Sequence, residues 1–145
     1  MTAKSSQRLD ISDTLVVLGD ISKSGSGTST QSDTKSLDLT GQRVSYGYVT
    51  ESHAGYSHGD GAAGASIIVY FADSTHTTLT SVSGSGNTPK SSSEKGYITA
   101  AQEAKGIVSA TLTAYGGGTM GWDKGGGYGT GSAMLYGYRS EWIDE

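Results

Sequence analysis

Cysteine is absent from the 145 residues, and there is one Pro, one Phe and no basic cluster. Without Cys there is no disulfide scaffold, no thiolate-held zinc and no thiol nucleophile. Charged residues make up only 17% with a net charge of −4, which argues against nucleic acid as a partner. A disordered chain combines low hydrophobicity with high net charge, and the second condition fails. Apolar runs such as Leu15–Leu18 and Ile67–Ala72 are far shorter than the ~20 residues that cross a bilayer as a helix. No apolar leader follows Met1, so the expectation is a chain made in the cytoplasm, with no membrane partner.

What is abundant is small and hydroxylated. The 23 Gly, 23 Ser and 17 Thr fill 63 of 145 positions. Gly costs roughly 1 kcal/mol per helical position and Ser and Thr compete for the backbone, so a helical bundle is disfavoured. Collagen is excluded because the glycines cluster and prolines are missing. The length suits one domain.

Hydrophobicity recurs with period two. Leu9, Ile11, Leu15 and Val17 share one face of a first strand; Val44, Tyr46 and Tyr48 share another. Residues 67–71 read as a central strand buried on both faces, residues 77–83 as a hydroxyl-rich strand. Val108, Ala110, Leu112 and Ala114 line one face of a strand over 107–115; Met134, Tyr136 and Tyr138 do so over 133–139. Residues 99–105 read as the one short helical turn, capped by Thr99 and stopped by Gly106. Turn signals fall at Ser24–Gly27, Gly59–Gly61, Ser83–Asn87 and Gly116–Gly118. The expected fold is all-β: a single antiparallel β-sandwich of six to eight strands, jelly-roll-like, with long Gly/Ser-rich loops.

Two stretches offer little to pack. Ser22–Ser36 is nearly all Ser, Thr, Gly and Lys, so residues 1–36 are expected to be a flexible N-terminal arm and loop, and 37–145 the sandwich domain. Gly116–Gly131 holds nine Gly in sixteen positions, with Met120, Trp122 and Tyr128 among them. Either these aromatics fold back onto the core, or the loop is a contact surface, because aromatics dominate interface hot spots.

Several motifs invite chemistry. Gly55-Tyr56-Ser57-His58-Gly59 matches G-x-S-x-G, with Asp73 and His76 following in hydrolase order. That nucleophile elbow needs a helix after the serine, and Asp60-Gly61-Ala62-Ala63-Gly64 cannot hold one, so no catalytic residue is assigned. His53, His58, Asp60 and Asp73 lack the spacing of a metal site and read as solvent-exposed loop residues, so no metal or other cofactor is expected. Gly116–Gly121 matches G-x-G-x-x-G, but no helix follows to hold a pyrophosphate.

Phe71-Ala72-Asp73-Ser74-Thr75, Leu79–Gly84, Gly96–Ala100 and Ala104–Tyr115 follow one another in a cadence: strand, aspartate turn, strand, Ser/Thr loop, helical turn and long strand. Over about residues 66–115 this resembles the jelly-roll modules of tailed-phage virion proteins and related carbohydrate-binding modules. The resemblance implies a non-enzymatic virion structural protein, a capsid cement or decoration subunit at the virion surface. Its expected partners are viral coat protein and further copies of itself, as a homo-oligomer. The alternative is a carbohydrate- or receptor-binding module of a phage tail or fibre, with Trp122, Asp123 and Tyr128 as sugar contacts. The protein-contact candidates are Met120, Trp122, Tyr128, Tyr136, Tyr138 and Trp142.

Overall fold

A computed structural model describes residues 7–56, 58–119 and 125–144. Within them lie the strands β1 (Gln7–Ile11), β2 (Val16–Gly27), β3 (Thr30–Asp38), β4 (Arg43–Gly55) and β5 (Asp60–Phe71). The order continues through β6 (His76–Gly86), β7 (Lys90–Tyr97), the helix α1 (Ala100–Lys105), β8 (Ile107–Thr119), β9 (Gly127–Tyr138) and β10 (Ser140–Asp144). One sheet runs β2-β9-β4-β7 and the other β3-β8-β5-β6, every pairing antiparallel. Consecutive strands alternate between the sheets except at β5-β6, the arrangement of an eight-stranded jelly roll. β1 and β10 form a separate two-stranded ribbon.

The sandwich is therefore as expected, but its limits are not. Residues 22–36 are not an arm: they complete β2, turn, and form most of β3. Backbone ladders need no apolar side chains, and here β9 and β8 supply the partners. Gly116–Thr119 ends β8 and Gly127–Gly131 opens β9, so much of the expected Gly-rich loop is sheet. The expected first strand breaks as well, into β1 and β2.

Glycine decides how the sheets meet. A Cβ on Gly131 would strike the Gly64 carbonyl, and one on Gly116 the Gly129 carbonyl, each in the opposite sheet. Here the sheets touch backbone to backbone, far closer than the ~10 Å set by interdigitating side chains. At the other end Leu39, Val44, Val69, Phe71, Leu112 and Leu135 fill the gap. The glycine-rich end is thus narrow and the apolar core lies at the other, where on the β6–β7 flank Gly96 again meets backbone across the gap, at the Leu79 carbonyl.

The helix forms as its caps predict. The Gln102 N–H donates to Thr99 Oγ1 at 3.1 Å, the Thr99 N–H donates to the Gln102 side chain at 2.9 Å, and Gly106 closes the helix at φ 82°. Lys23 and Asp33, on the edge strands β2 and β3, pair at 3.5 Å across one flank of the sandwich.

Candidate functional site: a tyrosine row on an outer sheet face

β9 alternates strictly. Gly127, Gly129, Gly131, Ala133, Leu135 and Gly137 look inward, so Tyr128, Met134, Tyr136 and Tyr138 stand on the outer face with Thr130 and Ser132. On β4 a bulge between Val44 and Tyr46 breaks the alternation. Val44 is buried, while Tyr46 and Tyr48 turn outward, against the shared face read from period two. Register then brings Tyr46 opposite both Tyr136 of β9 and Tyr97 of β7.

Three rings thus cross three strands. Tyr46 stacks on Tyr136 with centroids 4.7 Å apart and planes at 18°, and Tyr97 leans against Tyr46 at 5.2 Å. Offset pairs of this kind contribute ~0.5–1.5 kcal/mol beyond the area they bury. Lys95 Nζ lies 5.5 Å from the Tyr46 centroid and 5.7 Å from that of Tyr48. Arg43 approaches the Tyr138 ring at 5.8 Å while its Nε meets Glu103 of α1 at 2.9 Å. Tyr97 is 62% exposed, so the end of the row is open. Toward the narrow end the face becomes hydroxylic, with a groove of about 380 Å³ beside Tyr48 lined by Thr50, Ser52, Ser91, Ser93 and Thr130.

The row contains one of the six contact candidates, Tyr136, and Tyr138 stands on the same face beside Arg43. Tyr128 lies on the same face near the narrow end, 45% exposed and tilted against Tyr56 at 5.3 Å. Trp142 lies on β10, paired in register with Leu9. Met120 and Trp122 lie outside the described residues, as does Asp123. Tyr46, Tyr48 and Tyr97 were not singled out as contacts; the i, i+2 spacing of Tyr46 and Tyr48 was the one available signal.

The residues of the hydrolase-like match and the His and Asp positions set aside as metal ligands are scattered. Ser57 lies outside the described residues. Asp60 opens β5, and Asp73 occupies the β5-β6 turn, where Thr75 bonds it and Lys105 Nζ lies at 3.6 Å. The Thr75 hydroxyl, and then the Thr75 N–H, hold the Asp73 carboxyl below the ordinary carboxylate range. His76 packs beside Tyr70 at 5.6 Å. No three of the described His, Asp and Glu side chains converge as metal ligands.

His58 is exposed as expected, but His53 is not. It is 4% exposed, inside the sandwich, with Nδ1 2.6 Å from Glu51 Oε2; Glu51 is 3% exposed. Ser92 Oγ donates to Glu51 Oε1 at 2.7 Å, and His53 Nε2 is buried with no hydrogen-bond partner among the described residues. The carboxylate stands between hydroxyl and imidazole, so His53 is not placed to take a proton from Ser92.

No family model and no curated protein matches the chain. Among solved structures, one of infectious bursal disease virus, Gx strain, is 13% identical over 95% of this chain and 39% of its own, with a TM-score of 0.39. The enzymatically active domain of tailspike protein 4 from bacteriophage CBA120 is 13% identical over 92% of this chain and 19% of its own, with a TM-score of 0.36. The xylan-binding CBM22-2 domain of Paenibacillus barcinonensis Xyn10C is 11% identical over 76% of this chain and 70% of its own, at 0.33. The likenesses are distant. This chain spans well under two thirds of the two viral chains.

Proposed function

We propose that the chain is a non-enzymatic structural subunit of a virus particle, a capsid cement or decoration protein that binds coat protein and further copies of itself at the virion surface. The observation that carries this reading is the tyrosine row Tyr136–Tyr46–Tyr97, held flat across three strands and ending in the exposed Tyr97. Tyrosine is enriched at protein interfaces because it contributes large rigid area with a polar tip. The Ser92–Glu51–His53 order supports a non-catalytic role.

Sedimentation velocity of the wild type and of a Tyr46→Ser/Tyr136→Ser variant, alone and with coat shells of the virus that encodes the chain, tests it. The wild type is expected to co-sediment with shells and to self-associate. The variant should do neither while remaining folded, its thermal midpoint lowered only by the loss of the stacked ring pair. Wild-type protein that stays monomeric and ignores shells overturns the proposal.

A glycan- or receptor-binding module of a tail or fibre is the second reading. The hydroxyl-lined groove beside Tyr48 favours it, since such a groove with an adjacent aromatic suits a sugar chain. Retention of the wild type on a glycan column, lost with Tyr48→Ala, would select it.

A further inference from the structure

The other sheet carries a second aromatic feature, independent of the tyrosine row. Its outer face is hydroxylic: Thr34, Thr113, Ser66 and Ser81 align in one row across β3, β8, β5 and β6. The next row reads Ser32, Tyr115, Gly64 and Ser83. Because Gly64 has no side chain, the Tyr115 ring folds across it. A Cβ there would come within 2.6 Å of Tyr115 Cε1, Cζ and Oη.

This leaves an open cavity of about 210 Å³ bounded by the half-buried Tyr115, by Ser66 and Thr113, by the exposed Ser81 and Ser83, and by the apolar Ala65 and Val82. Among the described residues nothing hydrogen-bonds these four hydroxyls. No charged side chain lines the cavity. It is smaller than the ~300–1,000 Å³ of drug-sized pockets, so it suits one ring rather than an extended ligand.

We propose that this cavity is a binding site for a single neutral sugar ring, the terminal or free pyranose unit of a glycan. A pyranose has an apolar C–H face that can lie on the phenol ring and a rim of hydroxyls that both donate and accept. The four Ser and Thr hydroxyls match that rim, because each also donates and accepts. A charged ligand would lose its hydration against groups that carry no opposite charge. Affinity for one ring is expected in the millimolar range.

Amide NMR titration of the full chain with glucose, galactose, N-acetylglucosamine and glucuronate tests the site. At least one neutral sugar should give saturable shifts centred on Ser66, Ser81, Thr113 and Tyr115, and glucuronate should bind more weakly. Tyr115→Ala should weaken binding by about tenfold, the loss of one stacked contact, while Tyr115→Phe retains most of it. Thr113→Val, which removes a hydroxyl at nearly constant shape, should also weaken binding, and it decides the matter should Tyr115→Ala unfold. Tyr46→Ser, on the opposite sheet, should leave the titration unchanged, so failure here and failure of subunit association are separable. Linear, unsaturated shifts with all four sugars, tighter binding of glucuronate, or wild-type affinity in Thr113→Val would overturn the proposal.

Discussion

His53 and Glu51, two residues apart on β4, meet at 2.6 Å inside the sandwich, in space left by Gly84 of the opposite sheet. A Cβ on Gly84 would approach Glu51 Oε1 at 2.6 Å and His53 Cε1 at 2.8 Å, so the glycine makes room for the pair. A buried pair is weak as a source of stability, but removing one member strands the other.

Glu51→Ala should therefore be costly. It removes the acceptor of both Ser92 and His53, and the expected loss is about 3 kcal/mol or more. Ser92→Ala deletes one hydrogen bond and should cost about 1 kcal/mol. Urea denaturation of both variants checks the contrast; equal small losses would show that water solvates the pair.

The narrow end should be intolerant of the smallest enlargement. Gly131→Ala places a methyl against the Gly64 carbonyl, backbone that cannot swing aside. We expect about 2–3 kcal/mol of destabilisation, the scale of an overpacked core. Ser132→Ala, one residue on and facing outward, loses only the 3.1 Å bond to Ser22 and should change stability by less than about 1 kcal/mol. Thermal unfolding of the pair separates sheets held in backbone contact from loosely packed ones.

Tyr46 and Tyr136 should be energetically coupled. A double-mutant cycle through Tyr46→Ala and Tyr136→Ala, read by denaturant midpoints, should return a coupling of about 1 kcal/mol. Strict additivity would mean that the rings stack without stabilising each other.

Acid should weaken the β5-β6 turn. The Asp73 carboxyl is held below its ordinary value of 3.8 by the Thr75 hydroxyl and N–H. A depressed folded-state value contributes stability above the unfolded value, lost as pH falls through the folded one. The carboxyl is open to solvent, so the contribution is small. The thermal midpoint of the wild type should exceed that of Asp73→Asn at neutral pH, and the gap should narrow between about pH 5 and 2. A gap that does not change with pH would remove Asp73 from the acid response.

Part of this architecture is legible in residue order. Ala110, Leu112 and Ala114 on β8, and the outward Met134, Tyr136 and Tyr138 on β9, follow period two because one face packs and the other meets solvent. Thr99, Gln102 and Gly106 delimit α1 because capping is local chemistry. The absence of Cys rules out a disulfide scaffold and a thiol nucleophile without any knowledge of the fold.

What residue order could not decide was set by contacts between segments far apart in the chain. Ser22–Ser36 and much of Gly116–Gly131 are strands because partner strands accept their backbone hydrogen bonds, a demand indifferent to side chains. Which face Tyr46 takes depended on one bulge after Val44, and a single-residue shift reverses inside and outside. Likewise, nothing in the Glu51-Ser52-His53 order announces a buried pair; the Gly84 that makes room for it lies on another strand of the opposite sheet. Local propensity and periodicity are written residue by residue, whereas the backbone contact between sheets, the tyrosine row and the buried pair arise only when strands distant in the chain come together.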